Sequence, residues 1–130
     1  MNLYKSYGTN KALEQTGIDL RYSDDCVITI ARAGGSNKAF LKAAERAQRK
    51  LNTRKPNNEQ AMQILREVYA DAIILKWEGV EDKDGNEIPF TRDNVIKVLT
   101  DLPDLFFDIK TQAENAELFR DEALEEVSGN

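Results

Sequence analysis

Apolar side chains in this 130-residue chain recur first at every second position and later at every third or fourth. That change of period predicts a short β segment followed by a run of helices. Residues 1–17 are polar and contain Gly8 and Gly17, so they read as an irregular lead-in. Ile18-Asp19-Leu20-Arg21-Tyr22 alternates apolar and polar. Ser23-Asp24-Asp25 has turn chemistry, and Cys26 to Ile30 is rich in β-branched residues. Together these predict a β-hairpin over 18–33, closed by Gly34-Gly35. A lone hairpin is marginal in water, so this one must pack on a helix or join another chain's edge.

Helical spacing begins after the glycines. Ser36 reads as the N-cap of a helix to about Leu51, with Phe40, Ala43, Ala44, Ala47 and Leu51 on its apolar side. Asn57 or Asn58 then caps a helix from about Glu59 to Trp77. Its apolar face holds Ala61, Ile64, Leu65, Val68, Ala72 and Leu75, widened by Tyr69 and Ile73. Asp84-Gly85-Asn86 marks a turn within an acidic loop over 78–89. Thr91 caps a short helix with Val95, Val98 and Leu99. Asp101 reads as the cap of a last helix, with Pro103 in its first turn and its apolar face reaching Phe119. The expected fold is mainly α within the α+β class, with four to five amphipathic helices and a small N-terminal β-hairpin. It forms a single helical domain over 18–120, followed by a flexible acidic tail over 121–130.

Composition narrows the chemistry. The chain is 41% apolar and 32% charged, which suits one folded domain that needs neither disulfide nor metal. It contains no histidine, which removes the commonest general base, the commonest zinc ligand and the usual partner of a nucleophilic Ser or Cys. Cys26, the lone cysteine, sits in an apolar run with no base to deprotonate it. We therefore expect no enzymatic activity, no cofactor and no metal. The first residues carry no signal-peptide pattern, and no apolar run approaches the roughly 20 residues of a membrane helix. A soluble, cytoplasmic protein with no membrane partner is the expectation.

Charge is unevenly placed. Residues 1–65 carry 11 Lys/Arg and 6 Asp/Glu, whereas residues 66–130 carry 7 and 17. Such polarity, with an exposed hairpin edge, points to a homo-oligomer. Lys38, Lys42, Arg46 and Arg49 form a basic stripe on the first long helix, an alternative nucleic-acid-binding face. Against that, the chain is acidic overall and the stripe has no aromatic for base stacking, so a solvated or protein-binding face fits better. Asp82, Asp84 and Asn86 match the first ligands of an EF-hand loop. The match then fails, because Glu87 stands where glycine is needed and Asp93 where a bidentate Glu is needed. Gly34-Gly35 lacks the spacing of a phosphate-binding loop. Large apolar side chains beside acidic loops suit a protein interface instead. The candidate partner-binding residues are Trp77, Phe90, Leu102, Leu105, Phe106 and Phe107.

Three stretches carry a family resemblance. Trp77-Glu78-Gly79-Val80, Asp84-Gly85-Asn86-Glu87-Ile88-Pro89-Phe90-Thr91 and Leu99-Thr100-Asp101-Leu102-Pro103-Asp104-Leu105-Phe106 are similar to tail assembly chaperones of long-tailed, siphovirus-type bacteriophages. Ile30-Ala31-Arg32-Ala33-Gly34-Gly35-Ser36-Asn37 resembles that family's strand-to-helix corner. The resemblance implies a protein that coats the tape measure protein, keeps it soluble and helps recruit tail tube protein. It also implies a longer frameshifted form, action in the host cell cytoplasm, absence from the mature virion, and no catalytic residues.

Overall fold

The structure, a computed structural model, describes residues 1–120; the predicted acidic tail at 121–130 lies outside them. It is α+β. Six α-helices, α1 (Leu3–Tyr7), α2 (Lys11–Thr16), α3 (Lys38–Arg54), α4 (Asn58–Ala72), α5 (Arg92–Asp101) and α6 (Pro103–Glu114), accompany three strands among the described residues. The strands are β1 (Ile18–Arg21), β2 (Val27–Ile30) and β3 (Ile74–Glu78), and a 3-10 turn at Ala116–Phe119 follows α6. The sheet is antiparallel in the order β1-β2-β3, with Leu20 opposite Ile28 and Ile28 opposite Trp77.

The third strand corrects the expected helix over 59–77. That helix ends at Ala72, and Ile74–Glu78 instead pairs with β2. Helical spacing runs on into this segment, but Ile73, Ile74 and Trp77 also suit a strand. Pairing with β3 satisfies the second edge of β2, which a longer α4 would have left unpaired. Leu75, read as part of the helix face, consequently lies in a strand and is half-exposed.

The apolar core runs from Leu20, Ile28, Ile30 and Ile74 of the sheet to Val68, Tyr69 and Ala72 of α4. It continues through Val95, Val98 and Leu99 of α5 to Phe106, Ile109 and Ala113 of α6. Tyr69 is its hub, meeting Phe40 and Phe106 edge-on at centroid distances of 6.5 and 5.3 Å. Burial of an aromatic of this size is worth a few kcal/mol, roughly 1.5–3 for each large side chain. Asn57 caps α4 through a reciprocal pair with Gln60, and Thr91 caps α5.

The expected irregular lead-in at 1–17 is also corrected. Asn2 and Asn10 cap α1 and α2 by accepting from the Lys5 and Leu13 amides at 3.1 and 3.0 Å. What holds α2 in place is polar. Glu14 is buried and pairs with Arg32, while its other oxygen lies 2.9 Å from the Ser36 hydroxyl and accepts from the Ser36 amide at 3.3 Å. Gly35, at φ +55°, passes so close that a Cβ there would overlap the Glu14 carboxylate. Ser36 is thus spent on Glu14, and Asn37 caps α3 in its place, accepting from the Phe40 amide. The Asn37 amide also donates to the carbonyls of Arg32 (2.9 Å) and Ala72 (3.1 Å), joining the corner to the end of α4.

Candidate partner-binding groove

An open groove of about 1010 Å³ lies between the β1–β2 turn, the 79–90 loop, α5 and the start of α6. Its apolar lining comes from Ile28, Val80, Ile88, Val98, Leu102 and Leu105. On α5 the lining residues are Asn94, Lys97, Val98 and Asp101, spaced three and four apart, so one helical stripe forms the wall. Leu102 and Leu105 extend the wall into α6. The change of helix between them follows from Pro103, which takes the first position of α6. Leu102 precedes that proline and makes no side-chain cap. Asp101, expected as the cap, instead binds Lys97 at 2.7 Å.

The opposite wall is the 79–90 loop, and its own hydrogen bonds shape it. Ile88 N–H donates to the Val80 carbonyl (2.7 Å) and Asp82 N–H to the Asn86 carbonyl (2.8 Å), with a bridge between Glu81 and Glu87. One carboxylate oxygen of Asp82 accepts from the Asp84 and Asn86 amides, both at 2.9 Å. The aspartates and asparagine that suggested a calcium loop therefore build a tight hairpin turn. Trp77 anchors this loop from beneath: its indole N–H donates to the Ile88 carbonyl, and its ring meets Phe90 edge-on at 5.4 Å.

The groove changes the standing of each candidate contact residue. Leu102, 51% exposed, and the half-buried Leu105 line it. Trp77 and Phe106 are core residues, 8% and 4% exposed, and offer a partner no surface. Trp77 is covered because it belongs to β3 and not to a helix end. Phe90 is 40% exposed and supports the loop through Trp77. Phe107 is 71% exposed but is not among the groove residues. At about 100° per residue it stands about 200° around α6 from Leu105. Sequence reasoning did not single out Tyr22, Cys26, Ile28, Val80 or Ile88 for a site. They belong to segments far apart in the chain, and only the antiparallel pairing of β2 with β3 brings them together.

The electrostatics of the groove are acidic. Glu81, Asp82, Asp84 and Asp101 border it against Lys83 and Lys97. Tyr22 donates to Asp108 at 2.6 Å; burial, and then this bond, raise its pKa. Burial, and behind it the charge of Glu81, push the Cys26 thiol up, so it remains protonated at neutral pH and is a poor nucleophile. The basic stripe lies elsewhere. Lys38, Lys42, Arg46 and Arg49 are exposed on α3, and a small crevice places Arg46 beside Glu67 and Asp71 of α4.

Among the described residues, no helix is long and apolar enough to cross a membrane. No curated protein and no solved structure matches the chain. The family model described as YdaY prophage protein matches residues 35–130, a span that takes in α3 to α6, β3 and the loop that walls the groove. The chain therefore belongs to the YdaY prophage protein family and is of phage origin.

Proposed function

We propose that this prophage protein is a tail assembly chaperone that binds the tape measure protein, keeps it soluble and helps recruit tail tube protein. The observation that carries the reading is the groove, with its apolar lining and its half-exposed Leu102. At about 1010 Å³ it lies at the upper end of small-molecule pockets. It is also open, and an open apolar surface of this kind is a place for another polypeptide. The resemblance of the Trp77–Phe106 stretches to tail assembly chaperones supports the same reading, because those stretches contribute Val80, Ile88, Leu102 and Leu105 to the two walls of the groove. On this reading the protein acts by binding and not by catalysis. It works in the host cell cytoplasm with a longer form of itself, self-associates, and is absent from the mature virion. A nucleic-acid role for the α3 stripe draws less support, since the chain is acidic overall and the stripe offers no aromatic for base stacking.

Co-expression with the tape measure protein of the same prophage tests this. Soluble yield of the client should rise with the wild-type chain, and the gain should disappear with Leu102→Asp. An unchanged client yield counts against the proposal.

A further inference from the structure

We infer that the groove takes an amphipathic α-helix whose apolar stripe is bordered by lysine or arginine. This rests on the partner-binding reading above and adds the chemistry of the captured segment.

The helical form follows from the backbone of the walls. Ile28 belongs to the central strand, which is paired on both sides by β1 and β3. The 79–90 loop spends its Ile88 and Asp82 amides on its own carbonyls. The remaining lining is the β1–β2 turn, where the Tyr22 amide is spent on the Cys26 carbonyl, and helix. Ile28 offers no strand edge to extend, and the loop leaves only short stretches of backbone such as Glu81 unpaired, so an extended segment entering the groove would leave most of its own N–H and C=O groups desolvated and unpaired. A buried backbone group left without a partner pays its full desolvation penalty. A helix brings its backbone bonds with it and presents only side chains, which is the helix-in-groove mode of recognition.

The charge of the occupant follows from the border. Lys97 is held by Asp101, so those two charges offset each other. Glu81 and Asp84 have no ion-pair partner among the described residues, and both are exposed at the mouth. Lys83 alone opposes them and Asp82. A helix flanked by acids meets like charge here, and one flanked by bases meets opposite charge. Ile88, Leu102 and Leu105, the more exposed apolar residues of the lining, then receive its apolar stripe.

Cys26, the chain's single cysteine, lines the groove; its thiol resists ionisation, so its alkylation, read at about pH 9 to raise the thiolate fraction, reports whether the groove is covered. The probes are two synthetic helices of roughly 18 residues, long enough to hold helical structure, with the same Leu/Ala stripe and either lysine or glutamate flanks. At low salt, saturating lysine-flanked peptide should slow alkylation of Cys26 by about tenfold or more, and the glutamate-flanked peptide by less than about twofold. The difference should shrink as salt is raised. Converting Glu81→Lys together with Asp84→Lys, both at exposed positions, should reverse the preference. Equal protection by the two peptides, no protection by either, or an unchanged preference in the double variant overturns the inference. The two readings fail separately. A soluble tape measure complex without peptide preference removes this inference alone, and peptide protection without any effect on the tape measure protein removes the chaperone reading alone.

Discussion

Trp77 and Ile88 are joined by a hydrogen bond of 2.9 Å from the indole N–H to the backbone carbonyl, and this bond ties β3 to the loop that walls the groove. A side chain in the core thereby sets the position of a surface loop. Replacement Trp77→Phe keeps most of the ring's burial but leaves the Ile88 carbonyl without its donor. Stability should fall by about 1–3 kcal/mol, read from urea unfolding, and amide exchange in the 79–90 loop should accelerate.

Asn37 holds three partners at once, and its loss should be felt at each. Asn37→Ala removes the cap of α3 and the donors to Arg32 and Ala72. The expected cost is about 2–4 kcal/mol, combining a lost cap with unpaired buried carbonyls. Asn37→Asp keeps the capping oxygen but sets a buried carboxylate oxygen against the two carbonyls the amide served, so at neutral pH it should cost at least as much as Asn37→Ala in the same unfolding measurement.

Glu14 gives the fold a pH dependence. Burial acts to raise its pKa, but the hydrogen bonds from Arg32 and Ser36 and the Arg32 charge outweigh it, and the carboxyl is held below its ordinary value. A depressed folded-state pKa contributes stability above the unfolded-state value and loses it as pH falls through the folded-state value. The stability difference between wild type and Glu14→Gln should therefore be constant above about pH 5 and should shrink toward lower pH. A difference that stays constant through the acid range would remove Glu14 from this role.

Gly79 sits at φ +72° where the chain leaves β3, and a Cβ there would lie 1.7 Å from the Asp25 carbonyl oxygen. The obstacle is backbone, so it cannot swing aside. Gly79→Ala should cost about 2–4 kcal/mol, measured by thermal or urea unfolding.

The two phenylalanines of α6 should separate cleanly. Phe106→Ala empties a core site against Tyr69 and should cost about 3–5 kcal/mol. Phe107→Ala, at a site 71% exposed, should change stability by under about 0.5 kcal/mol. Because Phe107 stands away from the groove, the same variant should bind the tape measure protein as the wild type does.

The sequence was most legible where pattern and capping agree. α3, α4, α5 and α6 follow from their apolar spacing, and Asn57 and Thr91 cap where their chemistry predicts. It was least legible where distant segments decide. Helical spacing carried the reading of α4 into Ile74–Glu78, because only the presence of β2 alongside makes that segment a strand. The polar N-terminus hid two short helices, since α2 is held by the Glu14 carboxylate and by backbone bonds to the distant Arg32 and Phe119, which no local pattern shows. The groove was half visible: Leu102 and Leu105 were among the candidates, while Cys26, Ile28 and Ile88 depend on pairing that no local pattern encodes. Trp77 and Phe106 misled because large aromatics serve cores as readily as interfaces.

Amide hydrogen exchange of the chain, alone and bound to the tape measure protein, addresses the central claim most directly. Binding in the groove predicts slowed exchange over residues 22–28, 80–88 and 94–105, with α3 unchanged. Protection confined to α3, with those three segments exchanging as in the free protein, would contradict it.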